Sequence, residues 1–286
     1  MKLSYKVRGI ITITTAIGLL SFGTPLFAQT DYIQRVRYKD GSTLSEKMHI
    51  LEIAPELYSF VYKEPDVMRE KGFMGGIGVS YAYHNDVMFK IEGRYFYGKV
   101  DYENSGKIDN IKDYGFEVRL LGGYDFKLTN TLTITPSVGF GYRYLKDDMG
   151  GRISSIGALG YSREANYYYS PIGIEAVQVV NERWSVGAIL EYDYFWGGVQ
   201  QTNLKDVDSS LSNSRNDQNS GYGLRASLVA KRQTGWGYFA IEPFIRFWKI
   251  DNSVEQIVTQ SGIPVAIGLE PNNNTTEIGL KVGIGF

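Results

Sequence analysis

The chain has 286 residues, with 30 Lys and Arg against 31 Asp and Glu for a formal net charge of −1, and no cysteine. That balance leaves no basic stripe for nucleic acid. Past the N-terminus no window approaches the roughly 18 consecutive apolar residues of a membrane helix, so a mature chain that enters a bilayer must cross it as strands.

Composition then raises the strand reading: 22 Tyr, 14 Phe, 4 Trp and 33 Gly make a β-rich mixture, and Tyr and Trp settle at bilayer interfaces. In chain order, Lys2, Lys6 and Arg8 precede an apolar stretch over 10–22, followed by Gly23, Pro25 and Ala28. This predicts a secretory signal peptide over 1–28, cleaved after Ala28, into a compartment where the absence of cysteine is at home. Residues 29–56 are polar and mixed, with a helical run expected over 45–51, and read as a periplasmic tail or an internal plug. A first strand is expected at 57–63, where Leu57, Ser59 and Val61 oppose Tyr58, Phe60 and Tyr62.

From Gly72 the alternation is stronger. Phe73, Ile77, Val79, Tyr81 and Tyr83 share one face, and after Asn85-Asp86 the set Val87, Phe89, Ile91, Tyr95 and Tyr97 shares the next, a hairpin signal. The second hairpin pairs Tyr114, Phe116, Val118, Leu120 and Tyr124 with Leu132, Ile134, Val138, Phe140, Tyr142 and Tyr144. The third pairs Tyr168, Ile172, Ile174 and Ala176 with Trp184, Val186, Ala188, Leu190, Tyr192, Tyr194 and Trp196. The fourth pairs Tyr222, Leu224, Ala226 and Leu228 with Phe239, Ile241, Ile245 and Phe247, and a last strand carries Ile278, Leu280, Val282, Ile284 and Phe286.

These patterns predict an all-β fold, a closed up-and-down antiparallel transmembrane barrel over 57–286 with about ten strands, eight or twelve being the alternatives. Short turns at 85–86, 126–130, 180–183 and 232–235 then share one end, and long polar loops at 99–110, 146–166, 199–220 and 251–275 share the other. That asymmetry belongs to outer-membrane barrels, with the short turns in the periplasm. Two aromatic girdles are expected, from Tyr97, Tyr144, Tyr168, Trp196 and Phe247 on the outer side and Tyr83, Tyr124, Trp184 and Phe286 on the inner. Pro136, Pro171 and Pro243 fall inside predicted strands, where each removes a ladder donor, and are expected at bulges.

The face opposite the apolar set holds Lys90, Glu92, Arg94, Glu117, Arg119, Arg143, Glu175, Glu191, Asp193, Arg225, Lys231, Glu242, Arg246, Glu277 and Lys281. In a narrow barrel these near-balanced charges are expected to pair across the lumen as a polar plug, or else to line a narrow passive pore of weak selectivity. Catalysis is not expected. His49 and His84 are the two histidines, neither is predicted near the outer rim, and no thiol or imidazole metal cluster or phosphate-cradling glycine loop is present. Asp147-Asp148 and Asp206 with Asp208 could offer oxygens to Ca2+, but without a glycine-punctuated calcium loop they read as solvated charge. No cofactor is implied.

The leader, the alternating strands and the closing Ile284-Gly285-Phe286 resemble small Gram-negative outer-membrane β-barrel proteins. The segments Tyr169-Ser-Pro-Ile-Gly, Glu191-Tyr-Asp-Tyr-Phe-Trp-Gly and Glu242-Pro-Phe-Ile-Arg look like members usually called only outer-membrane β-barrel protein. The resemblance implies residence in the cell outer membrane and Phe286 as the terminal signal read by the barrel-assembly machinery. It also implies contact with outer-membrane lipid and an extracellular ligand, if any, at the long loops. Omptin proteases share the ten-strand count, but their rim Asp/His pairs have no counterpart here, which removes the protease inference. A structural or surface-interaction barrel is therefore the preferred expectation, ahead of a porin-like pore and of a lipid- or peptide-modifying enzyme.

Overall fold

The computed structural model describes residues 49–286 and, as backbone, 33–37 and 43–47. The predicted signal peptide lies outside the described residues. Ten long strands run β1 (His49–Glu64), β2 (Met68–Asn85), β3 (Val87–Asn104), β4 (Gly106–Tyr124), β5 (Leu132–Asp148), β6 (Arg163–Val179), β7 (Trp184–Thr202), β8 (Gly221–Gln233), β9 (Tyr238–Ile250) and β10 (Asn273–Gly285). Each pairs antiparallel with the next, and β10 returns to β1 from Asn274 opposite Lys63 to Gly285 opposite Glu52. Closure leaves the ten-strand sheet no open edge, which is what allows strands to cross hydrocarbon.

The period of two sets the two faces. On β10, Ile278, Leu280 and Val282 stand 56%, 45% and 44% exposed on the outside while Glu277, just before them on the opposite face, is fully buried in the lumen. Phe73, Ile91, Val118, Phe140, Ile172, Leu190, Leu228 and Ile241 continue the exposed apolar belt around the barrel. Aromatics rim it at both ends. At the short-turn end Trp236 packs against Phe239 and Phe286, and Tyr124 against Phe126; at the other end Phe116 meets Tyr142 and Tyr144, Tyr142 meets Tyr168, and Tyr192 meets Tyr222. Tyr114 to Tyr124 on β4 and Trp184 to Tyr194 on β7 span the two rims. At about 3.3 Å per residue and a tilt of about 40°, ten residues cover about 25 Å, the height of an outer-membrane apolar band.

Several expectations are corrected. The barrel begins at His49 rather than at residue 57, so 49–56 belong to β1 and not to a tail. The helix expected over 45–51 is absent: Thr43–Lys47 is a strand paired with Ile33–Arg37, and β1 follows. The loop expected over 99–110 is a continuous hairpin turning at Ser105. Its Asp, Asn and Gly content masked an inward set of Val100, Ile108 and Ile111, all buried. A register shift there leaves Asn110 at φ 58°, its N–H donated to Asp101 Oδ1 at 2.8 Å.

The prolines do not make bulges. Beside Pro136, Pro171 and Pro243, and also Pro55, the ladder on one side skips two residues and resumes in the same register. The lost donor costs a local pair on one side and nothing in strand phase. The second register shift of the barrel lies instead at Trp196, whose indole N–H donates to Ser170 Oγ at 2.9 Å, with Gly197 following at φ 154°.

The loop end carries 149–162, 203–220 and 251–272, the last containing a small hairpin of Gln256–Gln260 and Ile263–Gly268. Its turn residues Ser261 and Gly262 both have positive φ, as a tight two-residue hairpin turn requires.

Candidate functional site: the filled lumen

The inward residues of β1 read the lumen from end to end. Glu52 and Ala54 face a cavity of about 180 Å³, Glu56 enters a charge network, Tyr58 and Phe60 enter an apolar layer, and Tyr62 and Glu64 enter a second charged chamber. Every other strand contributes to the same stack because inward positions recur every second residue.

The cavity, on the short-turn side, holds Lys90 against Glu92 at 2.6 Å and Lys281 against Glu242 at 2.6 Å, with Tyr238 OH donating to Glu52 at 2.6 Å. Glu175 lines it as well, and Lys231 lies over the Tyr238 ring at 4.9 Å. Exposure falls inward, from 23% for the Lys90 and Glu92 side chains to 9% for Arg94 and 0% for Arg143.

The network above it interlocks five guanidiniums with six carboxylates, of which Glu92 is also held by Lys90. Arg94 reaches Glu117 at 2.7 Å and both Glu56 and Glu277 at 3.1 Å. Arg246 joins Glu56 at 2.8 Å and Glu277 at 3.1 Å, and Arg143 joins Glu277 at 2.7 Å. Arg225 bridges Glu117 at 2.5 Å, Asp193 at 2.7 Å and Glu191 at 3.3 Å, and Arg119 closes the ring between Glu191 and Glu92. Tyr169 OH donates to Glu117 at 2.6 Å. With Lys90 counted, equal numbers of opposite charges let so many ions share a dry interior, since each carboxylate of the network has at least one guanidinium.

The loop half of the lumen is apolar. Tyr58, Phe60, Met74, Phe96, Val100, Ile108, Ile111, Met149 and Phe244 form one cluster, and Ala165, Tyr167, Tyr169, Phe195, Trp248 and Ile250 a second, with Leu145 against both. Guanidiniums lid these rings: Arg246 lies 3.9 Å over Phe244 and Arg143 5.4 Å over Trp248. Glycine makes the room. A Cβ on Gly141 would sit 2.2 Å from the Tyr169 ring, and one on Gly279 would sit 2.4 Å from Tyr58 Cβ.

At the loop end Arg163 pairs with Glu64 at 2.6 Å, Glu70 at 2.9 Å and Asp147 at 3.0 Å, and Glu270 lies 4.0 Å away. Tyr62 OH donates to Glu64 at 2.9 Å and to Glu270 at 3.3 Å. Burial first, then the Glu64 and Asp147 charges, push the Glu270 carboxyl up to about 7 against the pull of Arg163.

The structure thus brings Lys90, Glu92, Arg94, Glu117, Arg119, Arg143, Glu191, Asp193, Arg225, Arg246 and Glu277 into one connected set, pairs Glu242 with Lys281 apart from it, and leaves Glu175 facing the cavity. Sequence reasoning missed Glu56 and the whole Arg163 chamber. The alternation of Glu56 with Tyr58, Phe60 and Tyr62 was a usable signal for the first; no local signal marked the second. His49 contacts Tyr81 OH at 2.7 Å, and His84 contacts Asp125 at 2.8 Å, both near the short turns. Asp148 and Asp206 accept from Ser162, and Asp208 from Ser210. Among the described residues no group of carboxylates or imidazoles has the arrangement of a metal site.

No family model and no curated protein sequence matches the chain. Solved structures do match in shape. The outer membrane protease OmpT from Escherichia coli aligns at a TM-score of 0.58 and 8% identity, over 83% of this chain and 96% of that one. Neisserial surface protein A aligns at 0.33 and 11%, over 82% and 97%, and the Pseudomonas putida toluene transporter TodX at 0.33 and 10%, over 84% and 90%. At 8% identity the likeness to OmpT speaks for fold alone. Ten strands closed antiparallel, a lipid-ready belt between aromatic rims and an ion-paired lumen give this chain the fold of an outer-membrane β-barrel.

Proposed function

We propose that the barrel is sealed and acts as a structural or surface-interaction protein, its long loops meeting an extracellular ligand or a neighbouring envelope component. The observation that carries this reading is the filling of the lumen by two consecutive layers, the balanced Arg/carboxylate network and the aromatic layer above it. A pore needs water along its axis, and here the central side chains pair with one another instead. The loop hairpin supports the surface role: Ile257, Ile263, Val265 and Ile267 are 66%, 68%, 51% and 69% exposed in a stretch without a charged residue. Partners on this reading are outer-membrane lipid along the belt, the assembly machinery at the last strand, and the loop ligand.

Enzymatic activity is not part of the proposal. His84 is held by Asp125, which also accepts from Thr135 Oγ1 at 2.6 Å, a linkage that ties a strand to the turn before it. Planar-bilayer recording tests the seal, and the expected result is an absence of steady single-channel steps. Reproducible ohmic steps would establish the narrow pore instead.

A further inference from the structure

The chamber around Arg163 has a charge problem that the central network lacks. Glu64, Glu70, Asp113, Asp147 and Glu270 all bring buried carboxyls to it, and among the described residues Arg163 is the one cation paired with them. Asp113 and Asp147 sit directly opposite each other in the β4/β5 ladder, and Oδ1 of each has no hydrogen-bond partner. Two like unit charges 4 Å apart repel by about 4 kcal/mol at an effective dielectric near 20. Five ionised carboxylates around one guanidinium are therefore not a stable filling for this space.

Four of the five stand on barrel strands that cannot leave. Glu270 does not. It ends the loop 251–272, where its N–H donates to Ser253 Oγ at 2.9 Å and its carbonyl accepts from the Ser253 N–H at 3.0 Å. Its carboxyl is faced by Tyr62 and Glu64 from β1, Asp147 from β5, Arg163 and Tyr167 from β6, and Tyr161 from the loop before β6.

We propose that the loop between β9 and β10 is a proton-operated closure of the barrel's loop end: Glu270 docks in the Arg163 chamber as a carboxylic acid, and loss of its proton drives the segment out by repulsion from Glu64 and Asp147. The inference concerns this end alone and stands whether or not the middle of the barrel conducts.

The sign follows from linkage. The docked carboxyl is raised to about 7 from 4.5, so docking is fully favoured below 4.5 and is lost as pH rises through about 7. The docked-to-released ratio should fall by about a hundredfold over that interval.

Because the chain has no cysteine, Val254→Cys, next to Ser253 and half-exposed, takes a single spin label in the folded barrel. On the otherwise unchanged chain the label should be immobile at acid pH and gain mobility with a midpoint near 7. Glu270→Gln, which keeps an uncharged amide in place, should hold it immobile up to about pH 9, and Glu64→Gln should shrink the change; a heat-modifiable gel shift verifies that each variant is folded. Equal mobility at all pH values in the parent, or an unaltered transition in Glu270→Gln, overturns the proposal. So does re-immobilisation by Ca2+ at about pH 8.5, because a cation and not a proton would then be neutralising the chamber.

Discussion

The middle of the lumen and its loop end are both buried and both ionic, yet they solve opposite problems. In the middle, Arg94, Arg119, Arg143, Arg225 and Arg246 with Lys90 meet Glu56, Glu92, Glu117, Glu191, Asp193 and Glu277, so removing any one group leaves an uncompensated charge in the network. At the loop end Arg163 serves an excess of acid, so removing one carboxyl relieves its neighbours. The first arrangement is a fixed filling and the second is conditional on protons. Charge balance, more than the number of ion pairs, decides which of the two a buried cluster becomes.

The strongest way to break the comparison is Glu277→Gln. Glu277 accepts from Arg94, Arg143 and Arg246, and its loss should destabilise the barrel by about 3–5 kcal/mol. The temperature at which the folded band disappears on a detergent gel would read that loss directly. A smaller effect is expected from Gly141→Ala, which forces a methyl against the Tyr169 ring and should cost about 1–3 kcal/mol by overpacking the aromatic layer. Unfolding in urea measures it, and a neutral result would mean that this layer is loosely filled. The mildest is Glu70→Gln at the loop end, expected to change stability by less than about 1 kcal/mol and to raise it at alkaline pH. If Glu70→Gln proved as damaging as Glu277→Gln, the two regions would not differ in kind.

Alternation revealed the barrel because each strand reports two environments at period two, and the Ile278-Leu280-Val282 face against Glu277 and Lys281 needs no other context. The same rule assumes that apolar means lipid. It fails where the loop half of the lumen is itself apolar: Phe96, between lipid-facing Tyr95 and Tyr97, points inward, as do Tyr58 and Trp248. Residues 49–56 were hidden because Pro55 and scattered acids weaken the pattern there, although Glu56 proves central to the network. The Arg163 chamber draws on residues from 64 to 270, and no local spacing encodes a meeting of that range. Charge pairing across a closed barrel is set by register, which is read from the ladder and not from any one strand.

The central claim is that the lumen is blocked above its short-turn cavity, and the cysteine-free chain allows a direct test. Ser80→Cys faces the cavity, whereas Thr275→Cys replaces a 3% exposed residue on the β10 strand that carries Glu277. With a small charged thiol reagent applied to each side of membrane-embedded protein at a pH below the loop-end transition, the Ser80→Cys thiol should react from the short-turn side and the Thr275→Cys thiol from neither. Comparable reaction rates at both positions would mean that water runs through the barrel and would contradict the account.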